Sequence, residues 1–168
     1  DGNTAFMLAC QNGHTDVVQL LLDNSEIIEL NARSNNGGTA FMNACHYGHK
    51  DVVQLLLNHS DSIDLNARRN NGETAFMIAC YKGHKDVVKL LLDQNIDLNA
   101  RDHFSGWTAF MLACSFGQKE VVKLLLDHSD RIDFNSKNIN GETAMMIACR
   151  SGQEDIVQLI VNHRRRKF

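Results

Sequence analysis

The chain contains no proline in 168 residues, where average usage of about 5% would supply roughly eight. Its turns must therefore be set by other residues, and no helix can be kinked or stopped by a pyrrolidine ring. No apolar run approaches the ~20 residues needed to cross a bilayer, and no charged-then-apolar leader pattern opens the segment. Membrane-spanning and secretory-leader readings are excluded on that pattern. Aromatic residues are sparse at 7%, with a single tryptophan. Cysteine is present in an odd number, five, which argues against a closed set of disulfides. The net charge is −3, but residues 1–163 carry thirteen Lys and Arg against twenty Asp and Glu, a net −7; Arg164, Arg165, Arg166 and Lys167 supply the balance. An acidic body with a short basic tail lacks the basic face of a nucleic-acid module.

What is present is repetition. Thr-Ala-Phe-Met begins at Thr4, Thr39, Thr74 and Thr108, and Thr-Ala-Met-Met at Thr143, spaced 35, 35, 34 and 35 residues apart. Cys10, Cys45, Cys80, Cys114 and Cys149 each follow their threonine by six residues. The chain is five copies of one unit.

The third copy shows the logic. Residues 72–83 read as a short helix from a Thr74 N-cap to a terminating Gly83. Phe76, Ala79 and Cys80 make one apolar stripe at i, i+3 and i+4. Residues 84–93 read as a second helix, with Asp86 early, where the positive end of the helix dipole favours a carboxylate. Ile96-Asp97-Leu98-Asn99 alternates like an extended segment, and Ser105-Gly106 turns into the next copy, as Asn36-Gly37, Asn71-Gly72 and Asn140-Gly141 do elsewhere. Helices of about nine residues are marginal alone. They persist only if each copy buries its stripe against the next, which predicts an all-α solenoid of helix-turn-helix units joined by β-hairpin-like turns.

Gly72-x-Thr74-Ala-Phe-Met-x-Ala79-Cys80-x-x-Gly83-His84-x-x-Val87-Val88-x-Leu90-Leu91, followed by Asp97-Leu98-Asn99-Ala100, resembles the ankyrin repeat, and the match runs through nearly the whole chain. Two departures stand out. The family's Thr-Pro-Leu-His reads Thr-Ala-Phe-Met, and its Gly-Ala after the second helix gives way to longer segments such as residues 59–63. A single domain is expected over 1–163, with copies starting near residues 2, 37, 72, 106 and 141, and a basic tail over 164–168. The first copy shows no polar capping change, as expected of a segment cut from a longer array. The last copy has Ile160-Val161 for Leu-Leu and fits either a natural terminus or a cap.

Catalysis finds no support: Gly-x-Ser-x-Gly, Walker and His-Glu-x-x-His motifs are all missing. No cofactor is implied. Cys-x-x-Gly-His recurs at Cys10/His14, Cys45/His49 and Cys80/His84, but a glycine ends the helix between each pair, and a metal needs four convergent ligands. The cysteines read as small buried hydrophobes, and as reduced thiols that suit the cytoplasm or nucleus.

Subtracting the template isolates five aromatics, Tyr47, Tyr81, Phe104, Trp107 and Phe116, all in the three central copies. Arg33, Arg68 and Arg101, with Lys137, form a basic column at the base of successive turns. The resemblance implies that turn tips and the outer ends of the first helices line a concave surface on which protein partners bind. Tyr, Trp and Arg dominate interface hot spots, so the aromatics are candidate anchors and the arginines candidate steering groups. The expected function is a non-enzymatic, monomeric scaffold for a protein partner with an acidic and apolar surface. Two alternatives stand beside it: a structural spacer in a longer array, or a basic tail that binds nucleic acid or an anionic surface. The resemblance also implies Asn66 and Asn99 as candidates for asparagine hydroxylation, against a structural role bonding across the turn.

Overall fold

A computed structural model describes residues 1–166. Lys167 and Phe168, part of the basic tail, lie outside the described residues. Ten α-helices follow one another in five pairs: α1 (Ala5–Gln11) with α2 (Thr15–Asp23), α3 (Ala40–Tyr47) with α4 (Lys50–Leu57), α5 (Ala75–Lys82) with α6 (Lys85–Leu92), α7 (Ala109–Ser115) with α8 (Lys119–Asp127), and α9 (Ala144–Arg150) with α10 (Glu154–Arg166). The helix-turn-helix solenoid read from the sequence is the observed architecture.

Each first helix starts for the same local reason. The threonine hydroxyl accepts a hydrogen bond from the backbone N–H three residues on, at 3.2 Å for Thr4 and 3.3 Å for Thr39, Thr74 and Thr108. This satisfies one of the donors a helix start leaves open. Termination rests on glycine. Gly48 (φ 75°) and Gly83 (φ 80°) adopt the left-handed conformation that closes α3 and α5 and that a side chain would resist. The second helices begin with an acid in their first turn, Asp16, Asp51, Asp86 and Glu120 in the first four.

Between copies, the turns stack by one backbone bond each: Asn35 N–H to Asp1 O, Asn70 to Asn36, His103 to Asn71 and Ile139 to Ser105, at 2.9–3.1 Å. The hairpin character of the turns is reduced among the described residues to two isolated bridges, Arg68 with Thr74 and Lys137 with Thr143. The extended segment expected at Ile96–Asn99 turns at Leu98-Asn99 instead. The third copy has a shorter connection after α6 than the second has after α4, and a turn one residue longer before α7, so its period falls to 34.

Burial follows the template. Phe41, Met42, Cys45, Val53 and Leu56 and their equivalents in the neighbouring copies form one continuous core. Each large side chain so removed from water contributes about 1.5–3 kcal/mol of gross driving force. The first helices pack against one another more closely than the second helices do; the first helices form the inner row of the stack and the second helices the outer row. Template positions in the outermost copies lose their cover. Val17 is 46% exposed where Val52, Val87 and Val121 are 1%, and Met146 is 56% exposed where Met42, Met77 and Met111 are 1%. The same geometry corrects the reading of the cysteines. Four are buried, but Cys149 is exposed, because among the described residues no further copy covers α9.

Candidate functional site

In the central copies the outer row is polar, whereas α2 of the first copy exposes Val17 and Leu20. The row's exposed positions in the central copies include Lys50, Asp51, Lys85, Asp86, Lys119 and Glu120, and two cross-copy ion pairs run along it, Lys85–Glu120 at 3.5 Å and Lys119–Asp155 at 2.8 Å. The inner row is different. At the C-terminal ends of α3, α5 and α7, side chains that depart from the repeat template gather into a chain of rings. Tyr47 lies 4.8 Å from His46 between centroids, His46 lies 6.4 Å edge-on from Tyr81, and Tyr81 lies 5.6 Å from Phe116. Tyr47 and Phe116 are 50% and 58% exposed, while Tyr81 is half-buried against the core. Three of the five aromatics singled out from the sequence are therefore brought together, with His46 between them.

Trp107 and Phe104 lie on the turn before α7, outside that chain of ring contacts. Trp107 is half-buried and packs on the core, whereas Phe104 is 74% exposed at the turn tip. Asp102 organises this turn. Its carboxylate accepts from the backbone N–H groups of Phe104, Ser105, Gly106 and Trp107 at 2.9, 2.6, 3.2 and 3.1 Å.

Charge in the groove is paired locally. Arg69 meets Glu73 at 3.4 Å, and Arg150 meets Glu142 at 3.0 Å. Bonds from Asn138 and then Arg150 hold the Glu142 carboxyl below its ordinary range. Burial, with Lys82 and Arg69 nearby, lowers the pKa of His46. Burial also raises the phenol of Tyr81, helped by Glu73.

The basic column has a structural occupation that its spacing did not disclose. Arg33 donates to the carbonyl of Arg68, Arg68 donates to the carbonyl of Arg101 at 3.0 Å, and Arg101 donates to Ser136 Oγ at 2.7 Å. Each guanidinium bridges to the next copy, and Arg68 also meets Asp97 at 3.5 Å. Arg33 and Arg101 remain exposed and Arg68 half-exposed.

The candidate asparagines do similar work. Asn66 Oδ1 accepts from Asp97 N–H at 3.1 Å. Asn99 donates to Arg131 O at 2.9 Å and accepts from Asp133 N–H at 2.8 Å. Two of the three histidines of the Cys-x-x-Gly-His segments face backbone: His49 Nε2 reaches Gln11 O and His84 Nε2 reaches His46 O, both at 2.8 Å. Among the described residues no group of three or more His, Cys, Asp or Glu is placed to hold a metal. No helix among them is long and apolar enough to cross a membrane. Arg164, Arg165 and Arg166 form the last turn of α10, and Arg164 donates to Asn135 Oδ1 at 3.3 Å.

Sequence reasoning missed Ile139, which is 69% exposed at the tip of the turn before α9. The signal was available: Ile139 stands where the other copies have Asn35, Asn70 and His103, but only aromatics were sought off the template.

A family model described as ankyrin repeats (3 copies) matches residues 6–102 and again 98–167. A search of curated proteins returns no match.

Proposed function

The chain belongs to the ankyrin-repeat family, and from that premise we propose that it is a non-enzymatic scaffold that binds a protein partner on its inner face. Ankyrin repeats are in general protein-protein interaction modules. The observation that carries the reading is the contrast between the two rows of helices. In the central copies the outer row shows lysines and carboxylates, while the inner row shows Tyr47, Tyr81 and Phe116 in a chain of rings, with Phe104 and Trp107 on the turn before α7. Aromatic rings already held in place lose little conformational freedom on binding, which lowers the ordering cost of association. Arg33, Arg68 and Arg101 flank this face, bridged to the next copy but open to solvent, and they suit a partner with carboxylates at its rim.

We place the protein in the cytoplasm or nucleus, a reading supported by five cysteines with no disulfide among them. The test is affinity capture from cell lysate by the wild-type chain and by a Tyr47→Ala/Phe116→Ala variant of equal helicity. Partners captured by the first and lost by the second support the inner face. Identical captures from both overturn it in favour of the spacer reading.

A further inference from the structure

The fourth copy differs from the others along its whole inner edge. Trp107 immediately precedes the Thr108 N-cap, and Leu112 is the fourth residue of α7, the two positions at which a hydrophobic staple closes over a helix start. The matching pairs in the other copies are Asn3/Leu8, Gly38/Asn43, Glu73/Ile78 and Glu142/Ile147, none apolar at both. Trp107 and Leu112 are both half-buried and packed on the core. Phe116 lies four residues beyond Leu112, on the same side of the helix, and is joined by Tyr81 at 5.6 Å from the neighbouring copy.

At the other end, Phe104 occupies the tip of the turn that Asp102 folds. Ile139 from the next turn donates its N–H to Ser105 O at 3.1 Å, and its side chain covers Gly106, where an added Cβ would come within 3.2 Å of Ile139 Cγ2. These positions mark out a strip along the fourth copy: Phe104 and Ile139 at exposed turn tips, Trp107 and Leu112 over the start of α7, and Phe116 at its end.

The charges around this strip are not balanced. Its carboxylates are occupied: Glu73 by Arg69, Glu142 by Arg150, and Asp102 by four backbone N–H groups. Its cations are not. Lys82 Nζ lies 5.3 Å from the Tyr81 ring centroid, and Lys137 stands two residues from Ile139; among the described residues neither meets a carboxylate in an ion pair. Resting on the inner-face reading above, we infer that the strip on the fourth copy is the principal contact and that it takes a short partner segment with an apolar or aromatic centre and an acidic residue at each end. The apolar centre covers Phe104, Ile139 and Phe116, and the two acids meet Lys82 and Lys137.

Trp107 is the single tryptophan of the chain and reports directly on the strip. The probe is a displayed library of random peptides about 12 residues long, selected against the whole chain, with recovered sequences made synthetically and titrated by Trp107 emission. Recovered peptides should share an apolar core with Asp or Glu flanks and shift that emission. Their affinity should fall about tenfold for Phe104→Ser/Ile139→Ser and for Lys82→Glu/Lys137→Glu, exposed positions whose replacement leaves the helices intact, and stay within about twofold for Lys89→Ser on the exposed side of α6. Basic or uncharged peptides, or an empty selection, would overturn the inference. Peptides weakened only by Tyr47→Ser would overturn the strip and leave inner-face binding standing. Peptides indifferent to all of these variants would overturn both readings.

Discussion

His84 Nε2 donates to the backbone carbonyl of His46 at 2.8 Å, across 38 residues of sequence and one copy boundary. The same bond joins His49 to Gln11 at 2.8 Å, and Gln118 to Tyr81 at 2.7 Å where the histidine is replaced. In each case the side chain lies over the glycine that ends the preceding first helix. A Cβ on Gly13 would come within 2.6 Å of the His49 ring, and a Cβ on Gly48 would collide with His84. The glycine therefore serves two ends: it turns the chain out of the helix and leaves room for the next copy's side chain.

This relationship fixes the order of three variants. His84→Ala loses the bond and leaves the His46 carbonyl short of a donor, at a cost of about 1–2 kcal/mol. His84→Gln should recover most of that, because Gln118 does the same work one copy on. Gly48→Ala meets both the left-handed φ of 75° and the imidazole, and should cost more than either. Urea denaturation of the three checks the ranking. A glutamine variant as weak as the alanine variant would show that the ring's packing, rather than its bond, matters.

The buried thiols predict an alkaline limit. Burial pushes Cys10 up to about 12 and raises Cys45, Cys80 and Cys114 as well, from a usual value of 9.0. A folded-state pKa above the unfolded one contributes stability that is fully present below the unfolded value and is lost as pH rises toward the folded one. Above pH 9 the unfolded chain ionises these thiols and the folded chain does not, so stability should fall by about 1 kcal/mol per thiol per pH unit. Urea midpoints at pH 8, 9 and 10 should drop steeply for the wild type and far less for Cys10→Ala/Cys45→Ala/Cys80→Ala/Cys114→Ala. Parallel slopes would remove the thiols as the cause. In native protein at neutral pH, thiol labelling should reach Cys149 alone.

The parts of the fold that depend on one copy were legible in the sequence. Thr74 announces its helix by hydrogen-bonding chemistry, Gly83 ends it by conformation, and Val87, Val88 and Leu91 mark the buried side by period. What depends on the neighbour was not. Cys149 has the same local sequence as Cys80 and a different exposure, because cover comes from the next copy rather than from its own helix. Arg33, Arg68 and Arg101 looked like free cations because their acceptors, one copy on, are backbone carbonyls or a serine hydroxyl. The candidate site was half legible. Departures from the template found Tyr47, Tyr81, Phe104, Trp107 and Phe116, but a search confined to aromatics passed over Ile139 and Lys82.

Asn99 and Asn66 separate two degrees of engagement. Asn99 uses both ends of its amide on the next copy, donating to Arg131 O and accepting from Asp133 N–H, whereas the cross-copy bond of Asn66 is the one from Asp97 N–H. Asn99→Ala should therefore cost about 1–2 kcal/mol and Asn66→Ala about half as much. Thermal or urea denaturation of the single variants would settle the order, and equal losses would show that the second bond of Asn99 contributes nothing net.

Asp102 is the residue on which the fourth copy's distinct edge depends. The turn before α7 is one residue longer than its counterparts, and a longer turn leaves more backbone N–H groups without partners. The carboxylate gathers four of them, and the Asp102 N–H donates to Trp107 O at 3.0 Å, closing the loop from the other side. The turn before α9 manages with a neutral amide: Asn138 Oδ1 accepts from Asn140 and Glu142 at 3.0 and 2.8 Å. Hydrogen bonds to a charged acceptor are worth more than neutral ones, so Asp102→Ala should lose about 1–3 kcal/mol and Asp102→Asn less. The more telling readout is local. Trp107 is half-buried only while its turn is closed, so its emission should shift to the red in Asp102→Ala before global unfolding, with helicity unchanged. An unshifted emission maximum would mean that Trp107 and Leu112 hold the turn by apolar contact alone, and that the acid is dispensable to the strip it frames.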